Sequence, residues 1–223
     1  MNNEPNENYR YILSVDIGIR NLALMLLECE QDYSIRDIVW FELLDITIFC
    51  HLDRESKKTC SLFHSKTISD WLSHVFFLHK ELFDLCEIIL VEKQPPHGHV
   101  SVEQLIFFQF RSKCILIYPR SVHKFFNWGP EIDYETRKVK SVQILEYRLE
   151  HTSRSWLRDE FQKLDRKHDI SDAYIQASYF LYKKKIEYTD GLRRRDRKIN
   201  QDGLGWLDNF RYSEPVDFSE EIY

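Results

Sequence analysis

The amino-acid sequence predicts an α/β fold, in which a mixed sheet of five strands carries helices on both faces. The first of three observations is that the chain opens with three apolar β-type runs separated by short polar segments, which is typical of an antiparallel meander. The middle of the chain then alternates strand, helix and strand, which indicates a right-handed crossover between parallel strands. Further helical segments follow, so three antiparallel strands precede two parallel ones.

Each element is assigned from its hydrophobic periodicity. The predicted strands cover residues 9–15, 22–27, 37–44, 87–91 and 114–118. The predicted helices cover residues 65–86, 101–113, 134–151, 154–164 and 170–186. Either Thr67 or Ser69 is suited to cap the first of these helices, and Pro119 is expected to end the fifth strand.

The domain organisation follows from where this periodicity stops. Residues 9–188 are predicted to form one domain, interrupted by a polar, aperiodic insertion at about residues 50–66. Residues 1–8 are expected to be a disordered N-terminus. Residues 189–223 are polar, first basic and then acidic, and are expected to form an extended tail.

Composition excludes several classes of protein. With 223 residues, of which 43% are hydrophobic, the chain is long enough for a substantial core and too apolar for general disorder. Its apolar runs are all much shorter than the roughly 20 residues of a membrane-spanning helix, so no membrane association is expected. An odd number of cysteines, five, without a C-x-x-C pair indicates a reducing compartment. The polar first ten residues lack a secretory signal, so a cytoplasmic or nuclear protein is expected.

The charges are unevenly distributed. A formal net charge of −5 argues at first against a nucleic-acid partner, because phosphate backbones are bound through Lys and Arg. Residues 137–198, however, contain 17 Lys and Arg against 10 Asp and Glu, including runs at 183–185 and 193–198. This basic segment fits either a solvated surface or a nucleic-acid contact.

Four acidic residues stand at positions that suggest chemistry. Asp16 interrupts the apolar first strand, and Glu92 directly follows the fourth. Asp169 and Asp172 have the i, i+3 spacing that places both on one face of a helix start. If the first and fourth strands are neighbours, all four carboxylates converge, and such a cluster requires a cation. Oxygen ligands favour Mg²⁺ or Mn²⁺, and two ions about 4 Å apart suit phosphodiester hydrolysis.

Each acid also has an ordinary structural interpretation. Asp169 could cap a helix, and Asp172 could stabilise its first turn through the helix dipole. Glu92 could pair with Lys93. The Asp16-x-Gly18 segment could form a tight turn, or the phosphate-binding turn of sugar-kinase and actin-like ATPases. The ordered set of four is what favours a catalytic site over these interpretations.

Three segments carrying these acids resemble one nuclease family. They are VDIGIRNLA at 15–23, ILVEKQP at 89–95 and KHDISDA at 167–173. In this order they resemble the RuvC-type Holliday junction resolvases, and the poxviral and fungal mitochondrial branch in particular. Residues 119–122, PRSV, add to the resemblance, which spans roughly residues 9–186. His168 is a departure, since the branch often has an Asp there; His168 is interpreted as a bystander or as a proton donor.

The resemblance implies an RNase H-like fold and a homodimer that nicks four-way DNA junctions symmetrically with Mg²⁺, leaving 5′-phosphate ends. Mn²⁺ is expected to substitute, with two ions in each site. The implied catalytic and metal-binding residues are Asp16, Glu92, Asp169 and Asp172. The candidate DNA contacts are Gly18, Arg20, Asn21, Lys93, Gln94, Arg120, Ser121, Lys124, Lys138, Lys140 and Lys167. A role in recombination or in viral genome replication follows from the same resemblance.

Several alternatives stay open. An RNase H-like nuclease acting on RNA–DNA hybrids and a catalytically silent junction-binding relative share the predicted fold. An ATP-handling enzyme is disfavoured, because the chain has six glycines and lacks a second glycine-rich phosphate loop.

Side-chain types suggest two further features, a zinc site and a dimer interface. The insertion contains Cys50, His51, Cys60 and His64, which could bind zinc, although adjacent ligands are awkward for one ion. The aromatic-rich stripe at Leu105, Phe107, Phe108 and Phe110 is a candidate dimer interface.

Overall fold

The computed structural model describes residues 8–50 and 59–202, with side-chain surroundings given for all of these except residue 50 and residues 195–202. All but the last residue of the predicted disordered N-terminus (residues 1–8) therefore lies outside the described residues, as do the end of the predicted tail and half of the predicted insertion. Within these ranges, no helix is both long enough and apolar enough to cross a membrane.

The structure contains a five-stranded mixed sheet. Its strands are β1 (Arg10–Asp16), β2 (Leu22–Cys29), β3 (Ile35–Leu44), β4 (Ile88–Glu92) and β5 (Cys114–Ile117). Their order across the sheet is β3-β2-β1-β4-β5. β1 and β3 both pair antiparallel with β2, whereas β4 is parallel to β1 and to β5. The predicted fold class is thus confirmed.

Seven α-helices surround this sheet in the described part of the chain. They are α1 (Ile68–Leu78), α2 (Lys80–Leu85), α3 (Val100–Gln109), α4 (Pro119–Phe125), α5 (Tyr134–Glu150), α6 (Trp156–Gln162) and α7 (Lys167–Asp202). A short 3₁₀ helix, Ile46–Cys50, follows β3.

Two helical predictions needed correction. The single helix expected over residues 65–86 is divided into α1 and α2, because the backbone at His79 (φ −105°, ψ 23°) departs from helical geometry. Of the two candidate caps, Thr67 is the one that caps α1, since its side chain accepts a hydrogen bond from the Asp70 amide. The helix α4 was not expected. Pro119 ends the strand and also begins α4, where its missing N–H costs nothing.

The extended segment predicted from residue 189 is wrong for residues 189–202, which continue α7. The sequence from residue 187 onward is polar but rich in residues that favour helix. Ion pairs one turn apart, Lys184 with Glu187 and Arg193 with Asp190, support the continuation. Gly191 weakens the helix without ending it.

Alternating strand residues supply two separate cores. Ile12, Met25 and Leu27 face α5, α6 and α7. The residues that alternate with these along the strands, such as Leu13, Val15 and Leu24, face α1, α2 and α3. All eight residues of β2 are buried, as expected for a central strand covered on both sides. Helices therefore cover both faces of the sheet, as predicted.

The topology brings the ends of three elements together. β1 and β4 are parallel neighbours with Val15 opposite Val91, so Asp16 and Glu92 emerge side by side at the carboxyl edge. The buried Gln176 of α7 donates to the Ser14 hydroxyl (3.0 Å) and to the Val15 carbonyl (3.2 Å). These bonds hold the beginning of α7 against the same edge.

Candidate active site

Asp16 and Glu92 end adjacent parallel strands, and their carboxyl groups are in hydrogen-bonding contact. Burial is the main reason that the pKa of Asp16 lies well above its ordinary value, and the charges of Glu92, Asp172 and Asp169 raise it further. Burial also raises the pKa of Glu92, although a hydrogen bond from Gln94 Nε2 to its Oε2 (2.6 Å) opposes the effect. Two ionised carboxylates are thus disfavoured here unless a cation joins them.

Asp169 and Asp172 come from the first turns of α7. Burial raises the pKa of Asp172 to about 7, contact with Ser141 opposes this, and the charges of Glu92 and Asp169 add to it. Asp169 is buried, and Arg166 donates to both of its oxygens (Nε–Oδ2 2.7 Å, Nη2–Oδ1 3.2 Å). Because α7 begins at Lys167, Asp169 is not the cap of this helix.

The structure therefore brings together the four acids that were predicted to bind metal. Burial raises the pKa of three of them, Asp16, Glu92 and Asp172, and the charges of the other acids raise it further at Asp16 and Asp172. The donor set consists of carboxylate oxygens, which is the set that Mg²⁺ and Mn²⁺ prefer. A bound divalent ion would offset the repulsion, so these residues fit the ion that the sequence implied.

The acids lie in an open cleft of about 650 Å³. Its lining also includes the basic side chains of Arg20, Arg137, Lys138 and Arg166. The acids would bind metal ions, and the basic side chains that line the same cleft would bind phosphate groups.

Six of the predicted DNA contacts line this cleft or its neighbour. Gly18, Arg20, Asn21 and Lys138 line the cleft that contains the acids. Arg120 and Lys124 line an adjoining cleft, also of about 650 Å³. The two clefts share His123, Trp128 and Arg137 in their walls, so they adjoin each other.

Two of the predicted DNA contacts, Lys93 and Gln94, instead make hydrogen bonds within the protein that hold the site in place. Lys93 pairs with the fully buried Glu103 (Nζ–Oε1 2.6 Å) rather than with Glu92. The main-chain amide of Gln94 donates to the second oxygen of Glu103 (2.5 Å), while the Gln94 side chain donates to Glu92. This network fixes the strand end that carries Glu92.

The other three predicted contacts, Ser121, Lys140 and Lys167, line neither of these two clefts in the described part of the chain. Lys167 is occupied by neighbours, because its Nζ donates to Gln162 and lies 3.6 Å from Glu146. Ser121 lies in the first turn of α4, where its amide donates to the Tyr118 carbonyl (2.9 Å).

Gly18 has a structural role as well as its place in the cleft. A Cβ at Gly18 would overlap the main-chain carbonyl of Asn21. The turn from β1 to β2 therefore requires glycine for its own packing, in addition to any close approach by a phosphate.

Sequence reasoning missed several residues of the cleft, namely Arg166, Arg137, Tyr134 and His123. For Arg166 a signal existed, since it precedes Asp169 by three residues, the spacing of a helical ion pair. His168, left open between bystander and proton donor, lines the cleft with its Nε2 3.3 Å from Asp169 Oδ1. Burial lowers the pKa of His168.

Comparison with known proteins gives a matching family and solved structures of similar fold. A family model described as "Poxvirus A22 protein" matches residues 10–184. The fowlpox virus resolvase in complex with substrate Holliday junction DNA has a TM-score of 0.54 and 17% identity, covering 78% of this chain and 97% of that one. The fowlpox virus Holliday junction resolvase alone gives the same score and identity, covering 78% and 99%. No protein in the curated comparison matches. At this identity the similarity shows the fold alone, and the predicted RNase H-like fold is confirmed.

Proposed function

The chain belongs to the Poxvirus A22 protein family, and from that premise we propose that it is an endonuclease that resolves four-way (Holliday) DNA junctions by paired, symmetric nicks. The observation that carries the proposal is the convergence of Asp16, Glu92, Asp169 and Asp172 in one cleft that is also lined by four Arg and Lys side chains. The family match agrees with the resemblance to poxviral resolvases that the three sequence motifs indicated.

The four carboxylates would hold two Mg²⁺ ions, for which Mn²⁺ could substitute. When bound, such ions supply Lewis-acid catalysis for the attack of water on a phosphodiester and stabilise the charge on the leaving oxygen. Cleavage that releases the 3′-oxygen leaves 5′-phosphate ends.

The surrounding side chains orient the carboxylates and bind the DNA backbone. Gln94 holds the Glu92 carboxylate and Arg166 holds that of Asp169. Arg20, Arg137 and Lys138 line the same cleft and would contact phosphates of the bound DNA.

Paired nicks need two active sites, which a homodimer of this chain would provide. Exposed apolar side chains on two helices that pack together support this proposal: Phe77 and Leu78 of α1, and Phe108 of α3. In the predicted aromatic stripe, Phe108 is 80% exposed, whereas Phe110 stacks on Phe83 within the core. The fowlpox virus resolvase was solved with junction DNA, and four-way DNA is the substrate proposed here. We expect a viral protein acting in the cytoplasm or nucleus during recombination or genome replication.

The test is nicking of a synthetic four-way junction with Mg²⁺ by wild type, Asp16→Asn and Glu92→Gln. Asp159→Asn, an exposed acid on α6, is the matched control. We expect paired nicks at symmetric positions from wild type and the control, and none from the two site variants. Equal activity in all four proteins, or none in any, contradicts the proposal.

The same assay separates the alternatives. Cleavage of RNA–DNA hybrids in preference to junctions indicates an RNase H. Junction binding by wild type without any cleavage indicates a catalytically silent relative.

A further inference from the structure

A second group of metal-ligating side chains lies outside the catalytic cleft. It comprises Cys60 and His64, from the segment before α1, and His74 of α1. One ligating atom from each of these residues lies within 4.8 Å of the other two. None of the three lines the catalytic cleft. We propose that they bind a zinc ion, which fastens this segment to α1.

The separation of Cys60 and His74 fits two of the four ligands of a tetrahedral ion. Cys60 Sγ lies 3.7 Å from His74 Nε2. Two ligands of one zinc ion, with Zn–S about 2.3 Å and Zn–N about 2.0 Å at a tetrahedral angle, are about 3.5 Å apart. The pair is therefore close to the separation that a shared ion imposes, without rearrangement of the backbone.

The ring of His74 is already oriented for ligation. Its Nδ1 lies 2.7 Å from the Asp70 carbonyl, to which it donates. Because Nδ1 donates, the lone pair is on Nε2, which lies on the side of Cys60 and is in hydrogen-bonding contact with its sulfur. Histidines that bind metals are usually held through their second nitrogen in this way. The His74 ring is buried and stacks on Phe49 with centroids 5.0 Å apart, which fixes its plane.

His64 is an independent observation that points to a ligand. Both of its ring nitrogens are buried, and neither has a hydrogen-bond partner among the described residues. Leaving a buried polar group unpaired is unfavourable, so such groups call for an explanation. The His64 ring centroid is 4.6 Å from that of His74, and one metal bond would satisfy a nitrogen that is otherwise unpaired.

The chemistry of this group differs from that of the catalytic acids. One sulfur and two imidazole nitrogens favour Zn²⁺, whereas four carboxylates favour Mg²⁺. Binding would release the Cys60 thiol proton to solvent and form a zinc–thiolate bond. Of the four zinc candidates considered from sequence, Cys60 and His64 are in this group, and His74 was overlooked because it belongs to a helix. The Cys50 side chain and His51 lie outside the described residues.

Cobalt(II) substitution in the full-length protein tests the proposal. Under reducing conditions, wild type should show the visible bands of tetrahedral cobalt(II) and a thiolate-to-cobalt charge-transfer band. The catalytic acids lack sulfur and cannot produce the second band, so Asp16→Asn should keep it. Cys60→Ser should lose it, and His64→Ala should lose or strongly weaken both. The exposed His97→Ala is the matched control and should resemble wild type.

Zinc content and thermal stability provide the second measurement. Wild type should contain stoichiometric zinc, and Cys60→Ser little or none. In buffer without Mg²⁺, a chelator should lower the Tm of wild type by about 5–10 °C, as expected for loss of a ligand present at about 100 times its Kd, and leave that of Cys60→Ser unchanged. Folded wild type without zinc or a thiolate band, or equal zinc in Cys60→Ser, overturns the proposal. If a variant does not fold, the presence or absence of the wild-type charge-transfer band decides.

Discussion

Asp16 combines burial with the charges of three other acids, and this combination opposes its ionisation in the metal-free protein. An amide of similar shape removes one of the repelling charges. We therefore expect Asp16→Asn to raise the free energy of unfolding of the metal-free protein by about 1–2 kcal/mol. The same change should reduce junction nicking by more than about 100-fold, because a metal ligand is lost.

Urea denaturation in a chelator, beside the nicking assay, measures both effects. Asp159→Asn should change neither quantity appreciably, since its side chain is exposed. A less stable Asp16→Asn would show that the acids are not in mutual repulsion.

Gly18 and Gly191 form a contrasting pair. A Cβ at Gly18 overlaps the Asn21 carbonyl, whereas a Cβ at Gly191 of α7 meets no atom within 4 Å. Gly18→Ala should therefore lower the free energy of unfolding by about 1–3 kcal/mol, as overpacking does. Gly191→Ala should raise it by about 0.5–1 kcal/mol through helix propensity. Equilibrium denaturation of the two variants decides, and the same sign for both would contradict the prediction.

For individual residues, the sequence predicted the four acids of the site but not all of the other side chains that line the cleft. Asp16 could be identified because a charge interrupts an apolar strand, and Glu92 because it directly follows one; both signals are visible in the sequence pattern. Arg137 and Tyr134 reach the cleft from the start of α5, far from the motifs in sequence. Their position depends on how α5 packs against α7, which local periodicity does not specify.

Between elements, one buried carboxylate joins β3 to the segment before α6. Asp37 accepts hydrogen bonds from Thr152 Oγ1 (2.5 Å), from the Ser153 hydroxyl and from Arg154 Nη1 (2.6 Å). Burial tends to raise the pKa of Asp37, but the hydrogen bonds from these residues and from the Ile38 amide lower it overall. The ionised form is thus stabilised in the folded protein.

Asp37→Asn should lower the free energy of unfolding by about 1.5–3 kcal/mol at neutral pH, the usual contribution of hydrogen bonds to a charged group. Because the folded-state pKa lies below the unfolded value of about 3.9, this contribution is present above that pH and is lost as the pH falls through the folded-state pKa. The difference between wild type and variant should accordingly shrink in acid. Denaturation curves from pH 7 to pH 3 measure this, and a constant difference would contradict it.

Elements with strong periodicity could be predicted, and those that depend on context could not. The five strands were assigned to within a few residues, because burial on one or both faces imposes an apolar pattern. The helix α4 is short and begins with a proline, so the sequence suggested only a strand end. The final stretch of α7 has no apolar stripe to reveal it, and its helix depends on propensity and ion pairs.

For the molecule as a whole, the net charge of −5 conceals a separation of charge. Residues 137–198, which carry the excess of Lys and Arg, fall within α5, α6, α7 and their connections. Junction binding by the uncleaving Asp16→Asn variant should therefore weaken by about 10³-fold or more between 50 and 200 mM salt, if about six phosphates are neutralised.

Binding titrations at several salt concentrations give the slope of the logarithm of the binding constant against the logarithm of the salt concentration. Arg137→Ala should reduce the slope by about one, as loss of a single phosphate contact does, whereas Arg158→Ala, an exposed residue of α6, should leave it unchanged. Binding that is insensitive to salt would mean that the basic segment does not contact DNA.

Because α7 is continuous, it also fixes the angle around its axis between the catalytic acids and the basic residues. One continuous helix carries Asp169 and Asp172 near its start and the basic residues 183–185 farther along. Gln176, which lies between them, bonds this helix to β1. Each residue of an α-helix turns by about 100°, so removing one residue between residues 177 and 182 would swing the lysines about a quarter-turn around the axis. Removing four would return them to within about 40° of the same azimuth, roughly 6 Å nearer the acids. In this segment the number of residues, as much as their identity, sets the direction in which the basic side chains point.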